Sequence, residues 1–549
     1  MAHSIKKLKK LLKKLIGINI AVLIGLLLTP ACPTVVLEPP ENIYHYDDDD
    51  ATPSPSVNPT PTQAPPRCAP GASSGVEAMW IEELEPLSVT ISCTGNMNLS
   101  PDSFSISNLP TGASWDASAG VLSWTPTLEQ AAVYHLDPFV TADPQDRGEL
   151  RIGVADDWDH PANVPVVDPT IYTHEYGLPV VFVDDVAPDR TWVPRNMLYK
   201  GRSWNIEVRL RGAASQSYPK KHYALKFEAD DRFEDPDEDF FYKRRVVLMS
   251  TFDDNAYVRQ RLAFDLWNRL DPAHIQIESY HVVLYVGGQY FGLYLFTDHI
   301  DKYLMDEHWL WGDGNMYKSV NHDANYRLTR ANGSNKATLH DGFEKTEGYP
   351  EQGQGGAFDD LDALVDFIAT SSDVDFIDGI DAQIDRRDFE NWWMFATFTV
   401  ADDSAGKNAY LYHDPYIGPW RCVPWDFNDA LGQDWRTRRE AATVYRDYYS
   451  RNLLFERLGT LPVFGDPLAE RYGDVLDNQY ELSWILDLYD SYFEEIDISA
   501  ERDWAKWENQ YRGFSRWSSR TDFLSYAQER DYVRQWIIDR WDYQKALYP

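Results

Sequence analysis

Asp403-Ser404-Ala405-Gly406-Lys407-Asn408 and, one strand-like stretch and a turn later, Pro424-Trp425-Asp426-Phe427-Asn428 decide how this chain reads. The first stretch places an Asp five positions before an Asn, and the second puts a further Asp at the end of a hydrophobic run. Between them, Ala409-Tyr410-Leu411-Tyr412 and Trp420-Arg421-Cys422-Val423 read as two strands joined by the Pro- and Gly-bearing turn from His413 to Pro419. Such a hairpin brings Asp403, Asn408 and Asp426 to one end. Hard oxygen ligands of this kind suit a magnesium-like cation, and one carboxylate is left over to face an attacking oxygen.

This division of labour is the one protein kinases use for phosphoryl transfer. One Asp takes the hydroxyl proton, while an Asn and a later Asp hold the metal against the phosphates. Asp403 is then the expected base, with Asp426 the principal metal ligand and Asn408 the second. Asp402 is the neighbour that competes with Asp403, and adjacent side chains of an extended segment point opposite ways, so only one of the two is expected to face a substrate.

Working outward, five blocks occur in order. They are Arg209-Leu210-Arg211-Gly212 running through Ser215 to Lys220-Lys221 and Tyr223-Ala224-Leu225-Lys226; Val247-Leu248 through Asp254 to Arg259; Gly288-Gln289-Tyr290-Phe291-Gly292-Leu293-Tyr294; Asp403 to Asn408; and Pro424-Trp425-Asp426. Together they resemble the spore-coat protein H (CotH) kinase family, atypical protein kinases of the secretory route. The resemblance implies an α+β, bilobal protein-kinase-like fold over residues 165–549. It also implies ATP with Mg²⁺ (or Mn²⁺) and transfer to Ser or Thr hydroxyls of a secreted or surface protein. The residues it points to for the nucleotide are Arg211, Ser215, Ser217, Lys221, Lys226, Arg259 and Trp425. Lys226, on a strand that parallels the kinase strand whose Lys grips the phosphates, is the catalytic cation of choice, with Lys221 its rival.

Two departures stand out. The loop Arg211 to Tyr218 holds a single Gly, so its backbone makes a weaker phosphate cradle than a Gly-rich loop does. Asn428 stands where family members commonly carry a second Asp, which removes a charge from the metal site, with Asp429 or Asp434 a candidate to compensate. A pseudokinase serving as a surface binding or structural protein is therefore the alternative reading.

Helical spacing of Val258, Leu262 and Leu266 predicts a helix over 253–270, capped by Asp253-Asp254-Asn255. The Gly- and Glu-rich stretch 335–355 reads as mobile, and 450 onward as helical.

The first 32 residues read as a targeting segment: a Lys-rich start, an apolar run from Leu15 to Leu28, then Ala31-Cys32. Cys32 fits a bacterial lipoprotein processing site, which makes the expected location an outer or cell-surface membrane, with plain secretion as the other outcome. Residues 33–72, rich in Pro, Thr and Asp, read as a disordered linker. Residues 73–155 alternate like short strands and, around Trp115 and Trp124, resemble the Ig-like sandwich modules of bacterial surface proteins. Cys68 and Cys93 are left either to pair in an oxidising compartment or to stay thiols. A formal net charge of −36 argues against nucleic acid or an anionic membrane face as a partner, so membrane contact is expected through a lipid anchor alone.

Overall fold

Strands that read as unbroken apolar runs, such as Val180-Val181-Phe182-Val183, are buried on both faces, and this governs the architecture. The computed structural model describes residues 67–76, 78–162 and 167–549. The expected targeting segment 1–32, Cys32 included, and most of the linker 33–72 lie outside the described residues. The linker ends earlier than residue 72, because Pro70–Ala72 is a strand paired with Leu87–Cys93, and Cys68 is disulfide-bonded to Cys93.

The first folded part consists of two sheets. Pro70–Ala72, Leu87–Cys93, Val121–Trp124 and Ser114–Asp116 form one. Ala78–Glu82, Leu150–Ala155, Ala132–Val140 and Phe104–Ser107 form the other. They share a core in which Leu122 and Trp124, two apart on one strand, meet Leu136, Leu150 and Ile152 of the facing sheet.

Seven strands follow and close on themselves: β1 (Leu178–Val183), β2 (Val193–Tyr199), β3 (Arg202–Leu210), β4 (Tyr223–Phe227), β5 (Arg245–Met249), β6 (Ser279–Val286) and β7 (Gln289–Asp298). Their order is β1-β2-β3-β4-β5-β7-β6, and β6 pairs back onto β1 in parallel, Val180 opposite Val283. The inside holds Val181, Met197, Ile206, Val208, Leu225 and Phe296, and Phe233 and Phe240 from a short hairpin join the same core. The alternate residues Val180, Phe182, Val247, Val283 and Leu295 point outward into a second, larger core shared with the helices. The mixed α+β class expected from the sequence is what the chain adopts. Closure into a barrel was not legible, because it depends on a pairing between strands about a hundred residues apart rather than on any local pattern.

The helices are α1 (Arg259–Leu270), α2 (Lys302–Glu307), α3 (Asp359–Thr370), α4 (Asp373–Gln383), α5 (Arg386–Thr399), α6 (Leu453–Thr460), α7 (Pro462–Asn478), α8 (Leu482–Gly513) and α9 (Tyr526–Leu547). Among them sits a small antiparallel sheet of β8 (Asn315–Ser319), β9 (Phe343–Glu347), β10 (Ala409–His413) and β11 (Arg421–Pro424), in the order β9-β8-β10-β11. The expected hairpin is β10–β11. β9 falls inside 335–355, so that stretch contains ordered, paired backbone rather than being mobile throughout. α1 begins at Arg259, not Asp253: the residues before it form turns, with Asp254 accepting the N–H groups of Ala256 and Arg259.

α8 ties the barrel to the helical half. Lys220, fully buried, donates to Asp503 and to the Leu293 carbonyl, each at 2.6 Å. Gly292 permits this approach, since a Cβ there would lie 2.2 Å from the Asp503 carboxylate. Arg502 of the same helix pairs with Glu175 at 2.6 Å. A buried ion pair of this kind is costly to break from one side, because the partner is left charged and unpaired.

Candidate functional site

α5, whose Trp392, Phe395 and Phe398 are buried, ends at Val400 in the left-handed conformation (φ 54°). That reversal turns the chain into Asp402–Asn408. Backbone bonds then stitch the two motifs together. Trp425 N–H donates to the Asn408 carbonyl at 2.7 Å, and Asn408 N–H donates to the Ser319 carbonyl at 2.9 Å. Ser404 Oγ donates to the Trp425 carbonyl at 3.2 Å, and Asp403 N–H donates to Asp429 at 3.1 Å. Phe427 N–H donates to Gln260 of α1 at 3.0 Å, which fixes the second motif against the helix. Asn408 and Asp426 both hold left-handed backbone, φ 55° and 69°, conformations that persist only where the surroundings enforce them.

Asp402 and Asp403 face different partners. Asp402 is spent on Arg446 and Arg451, at 3.2 and 3.1 Å. Asp403 lies 2.7 Å from Lys407 Nζ and 3.4 Å from His322 Nε2. Burial works to raise the Asp403 carboxyl, but hydrogen bonds from His322 and Lys407 outweigh it and hold the group below the usual carboxylate range. Burial pushes Asp426 up; Lys318, Arg211 and Lys407 pull against it, and the charge of Asp403 adds to the upward push.

The remaining expected residues divide. Asn428 donates its amide to Asp253 at 2.9 Å, beside the site. Arg211 lies with its guanidinium 4.7 Å from the centre of the Trp425 ring. Trp425 itself is buried beneath it and against Phe264, so it serves as a platform for Arg211 rather than as a face for a nucleotide base. Ser215 and Ser217 sit on a tight turn, where Ser217 Oγ donates to the Ala214 carbonyl at 2.8 Å. Lys221 donates to the Gln216 carbonyl at 2.6 Å and so braces that turn.

Three expected residues are committed to other partners. Lys226 projects from the outer face of the barrel into an ion pair with Glu207, where it lines a cavity of about 380 Å³ with Arg195 and Arg244. Arg259 is fully buried and holds Asp254 and Glu529, each at 2.6 Å, and the Leu431 carbonyl at 3.1 Å. Its donors hold the fold together, and none is free for a nucleotide. Asp434 closes its own loop on Arg438 and the N–H groups of Arg436 and Arg438. Its charge still reaches Asp429 at the site.

Three residues at the site carried no legible signal. Asp253, which Asn428 and Tyr218 hydrogen-bond, is buried, and burial with the charge of Asp426 pushes its carboxyl up to about 6. In sequence it looks like part of a helix cap. Lys318 on β8 is the strongest cationic influence on Asp426 and lies over Tyr410. His322 falls in a connection without a motif. Asp429, the other acid expected to compensate for Asn428, is raised to about 8 by burial and by the charges of Asp403, Asp402 and Asp434.

Arg209, with Arg190, Arg211 and Arg245 around it, is depressed first by burial and then by those like charges. In a chain of net charge −36 this cluster is a local exception, and it stands next to the carboxylates. Among the described residues no three His, Cys, Asp or Glu side chains converge to hold a metal on their own. The donor chemistry nevertheless fits a hard cation shared with a ligand: Asp426 and Asn408 offer oxygens, and the mutual repulsion of Asp403, Asp426 and Asp253 is what a divalent ion relieves.

The CotH kinase protein family matches residues 208–544, and the chain belongs to that family. Its function is accordingly kinase-like. No curated protein matches the chain.

Proposed function

We propose that this is an exported protein kinase that transfers the γ-phosphoryl group of ATP, with Mg²⁺ or Mn²⁺, to Ser or Thr hydroxyls of secreted or cell-surface proteins. One observation carries the reading: Asp426 feels at once the charge of a second carboxylate, Asp403, and of three cations, Lys318, Arg211 and Lys407. A metal-bound triphosphate needs both signs of charge at one place, and a hydroxyl acceptor needs a carboxylate beside them.

In this reading Asp426 and Asn408 hold the cation, which when bound neutralises phosphate charge. Lys318 and Arg211 take the place expected of Lys226 and draw the phosphates toward Asp426. Arg211 is kept flat by Trp425. Asp403 accepts the hydroxyl proton, its orientation fixed by hydrogen bonds to both oxygens. Apart from Arg211, the loop 211–218 forms an edge rather than a cradle, since Gln216 and Ser217 spend their donors on the loop's own carbonyls.

A two-lobed kinase-like arrangement, with barrel above and helices below, is part of the same proposal, as is an Ig-like role for the two-sheet module as a spacer. Export draws support from the Cys68–Cys93 disulfide and from the Lys-rich, apolar start with Cys32, which leaves lipid anchoring and secretion both consistent.

The test is transfer of label from γ-labelled ATP to the protein itself and to secreted acceptor proteins, with Mg²⁺ and with Mn²⁺. Label on Ser or Thr, lost in Asp403→Asn, is the expected result. Nucleotide binding without any transfer in either metal would favour the pseudokinase instead.

A further inference from the structure

His322 stands just past β8, in the connection between β8 and β9 that contains neither motif. Hydrogen bonds on both sides bring it to the site. Before it, the Ser319 carbonyl accepts from Asn408 N–H at 2.9 Å, which joins the end of β8 to the end of the first motif. After it, Ala324 and Tyr326 are buried, and Leu453 N–H at the start of α6 donates to the Asn325 carbonyl at 3.0 Å. Arg327 adds a bond to the Tyr449 carbonyl at 2.7 Å and an ion pair with Glu456.

The ring of His322 is therefore held from its own backbone outward. Nε2 lies 3.4 Å from Asp403 Oδ1, while Lys407 Nζ takes Oδ2 at 2.7 Å. Nδ1 is buried without a hydrogen-bond partner among the described residues. It packs over Gly406, where an added Cβ would lie 3.9 Å away. A proton on Nδ1 would have no acceptor, whereas a proton on Nε2 has Asp403, so the arrangement selects Nε2–H as donor.

We propose that His322 is a positioning residue of the catalytic centre: with Lys407 it clamps the Asp403 carboxylate from both oxygens, which makes the connection 320–342 part of the active site. This rests on the reading of Asp403 as acceptor of the hydroxyl proton. As the acceptor oxygen bonds to phosphorus, its O–H bond breaks and the proton passes to Asp403. The electron pair of the broken P–O bond leaves on the nucleotide diphosphate. A carboxylate free to rotate would meet that proton less often, and the cost falls on turnover, not on nucleotide binding. The other charged groups that face Asp403 are Asp426 and, through the Asp403 backbone N–H, Asp429.

Two measurements on the full chain test this. In the transfer assay, His322→Ala is expected to lower kcat about 10–100-fold with the nucleotide KM within about twofold, and His322→Gln, which keeps an N–H donor, to recover most of the loss. In ¹³C-aspartate-labelled protein, with the Asp403 resonance assigned by Asp403→Asn, the Asp403 titration is expected to move upward in His322→Ala and to stay near the parent's in His322→Gln. An Asp403 titration unmoved in His322→Ala overturns the proposal, as does unchanged kcat in that variant. If the parent transfers no label at all, the kinase reading fails, and the titration alone still decides whether His322 holds Asp403.

Discussion

Asn428 donates its side-chain amide to Asp253 at 2.9 Å, across the join between the second motif and the turn before α1. The Asn that removes a charge from the proposed metal site thus holds a carboxyl from a different segment beside it. Asp253 also accepts from Tyr218 at 2.9 Å, so its position is set from both sides. Asp253→Asn is expected to weaken Mg²⁺-dependent nucleotide affinity by about 10–100-fold, the usual cost of losing a group that orients a metal ligand. Calorimetric titration with Mg²⁺-ATP checks this, and unchanged affinity would show that Asp253 serves the fold alone.

Removing Asp426 is expected to separate binding from stability. Asp426→Ala loses metal-dependent nucleotide binding, yet its melting temperature stays close to the parent's, because burial and the nearby Asp403 already disfavour its charge. Asp403→Asn behaves in the opposite sense: turnover falls on the order of 10²–10⁴ while nucleotide affinity holds. Equal losses of binding in the two variants would mean that the roles have been divided wrongly.

The phosphate-binding cations are expected to be Lys318 and Arg211. Lys318→Ala and Arg211→Ala each weaken nucleotide binding by about tenfold or more, the scale of one charge-assisted hydrogen bond. Lys226→Ala leaves it unchanged, since Lys226 is committed to Glu207. Binding isotherms for the three variants are enough; a large loss in Lys226→Ala alone would restore the strand lysine to the role.

Glu529 gives the fold an acid-labile joint. Burial opposes its charge, but Arg259 and Arg439 hold its carboxyl down to about 2 from an ordinary value of 4.5. A depressed carboxyl contributes stability that is present above the unfolded value and is lost as pH falls toward the folded one. Glu529→Gln is expected to cost about 3–5 kcal/mol near neutral pH, with the gap from the parent narrowing below about pH 4. Denaturant unfolding at pH 7 and pH 3 measures both, and a gap of the same size at each pH would contradict the assignment.

Much of the site was legible because its two motifs are short and local. Asp403, Asn408 and Asp426 needed one hairpin to bring them together, and β10–β11 is that hairpin. Asp402 and Asp403 do face different partners, but from a turn, with Lys407 N–H donating to the Asp403 carbonyl at 2.9 Å, and not from the extended segment that alternation assumes. Residues whose partners lie far away in sequence were less legible. Arg259 sits in a block that looks like a ligand motif, but its partner Glu529 lies 270 positions away. Lys226 alternates outward as expected, on the same face as Arg209, but Glu207 directly opposite it on β3 takes its ammonium. Lys318 and His322 came from a strand and a connection with no distinctive spacing, and only the pairing of β8 with β10 carries them to the site.

The buried Lys220–Asp503 pair also has a consequence for the order of events during synthesis. The two residues are 283 positions apart, so most of the barrel is made long before the residue that neutralises Lys220 exists. Until α8 arrives, the barrel carries an ammonium in an apolar wall, a state that disfavours its final packing. The roof of the site is therefore completed only when nearly the whole chain is available. A barrel that waits for its last helices stays open in the meantime, so the same ion pair that stiffens the finished protein postpones its folding until synthesis is nearly complete.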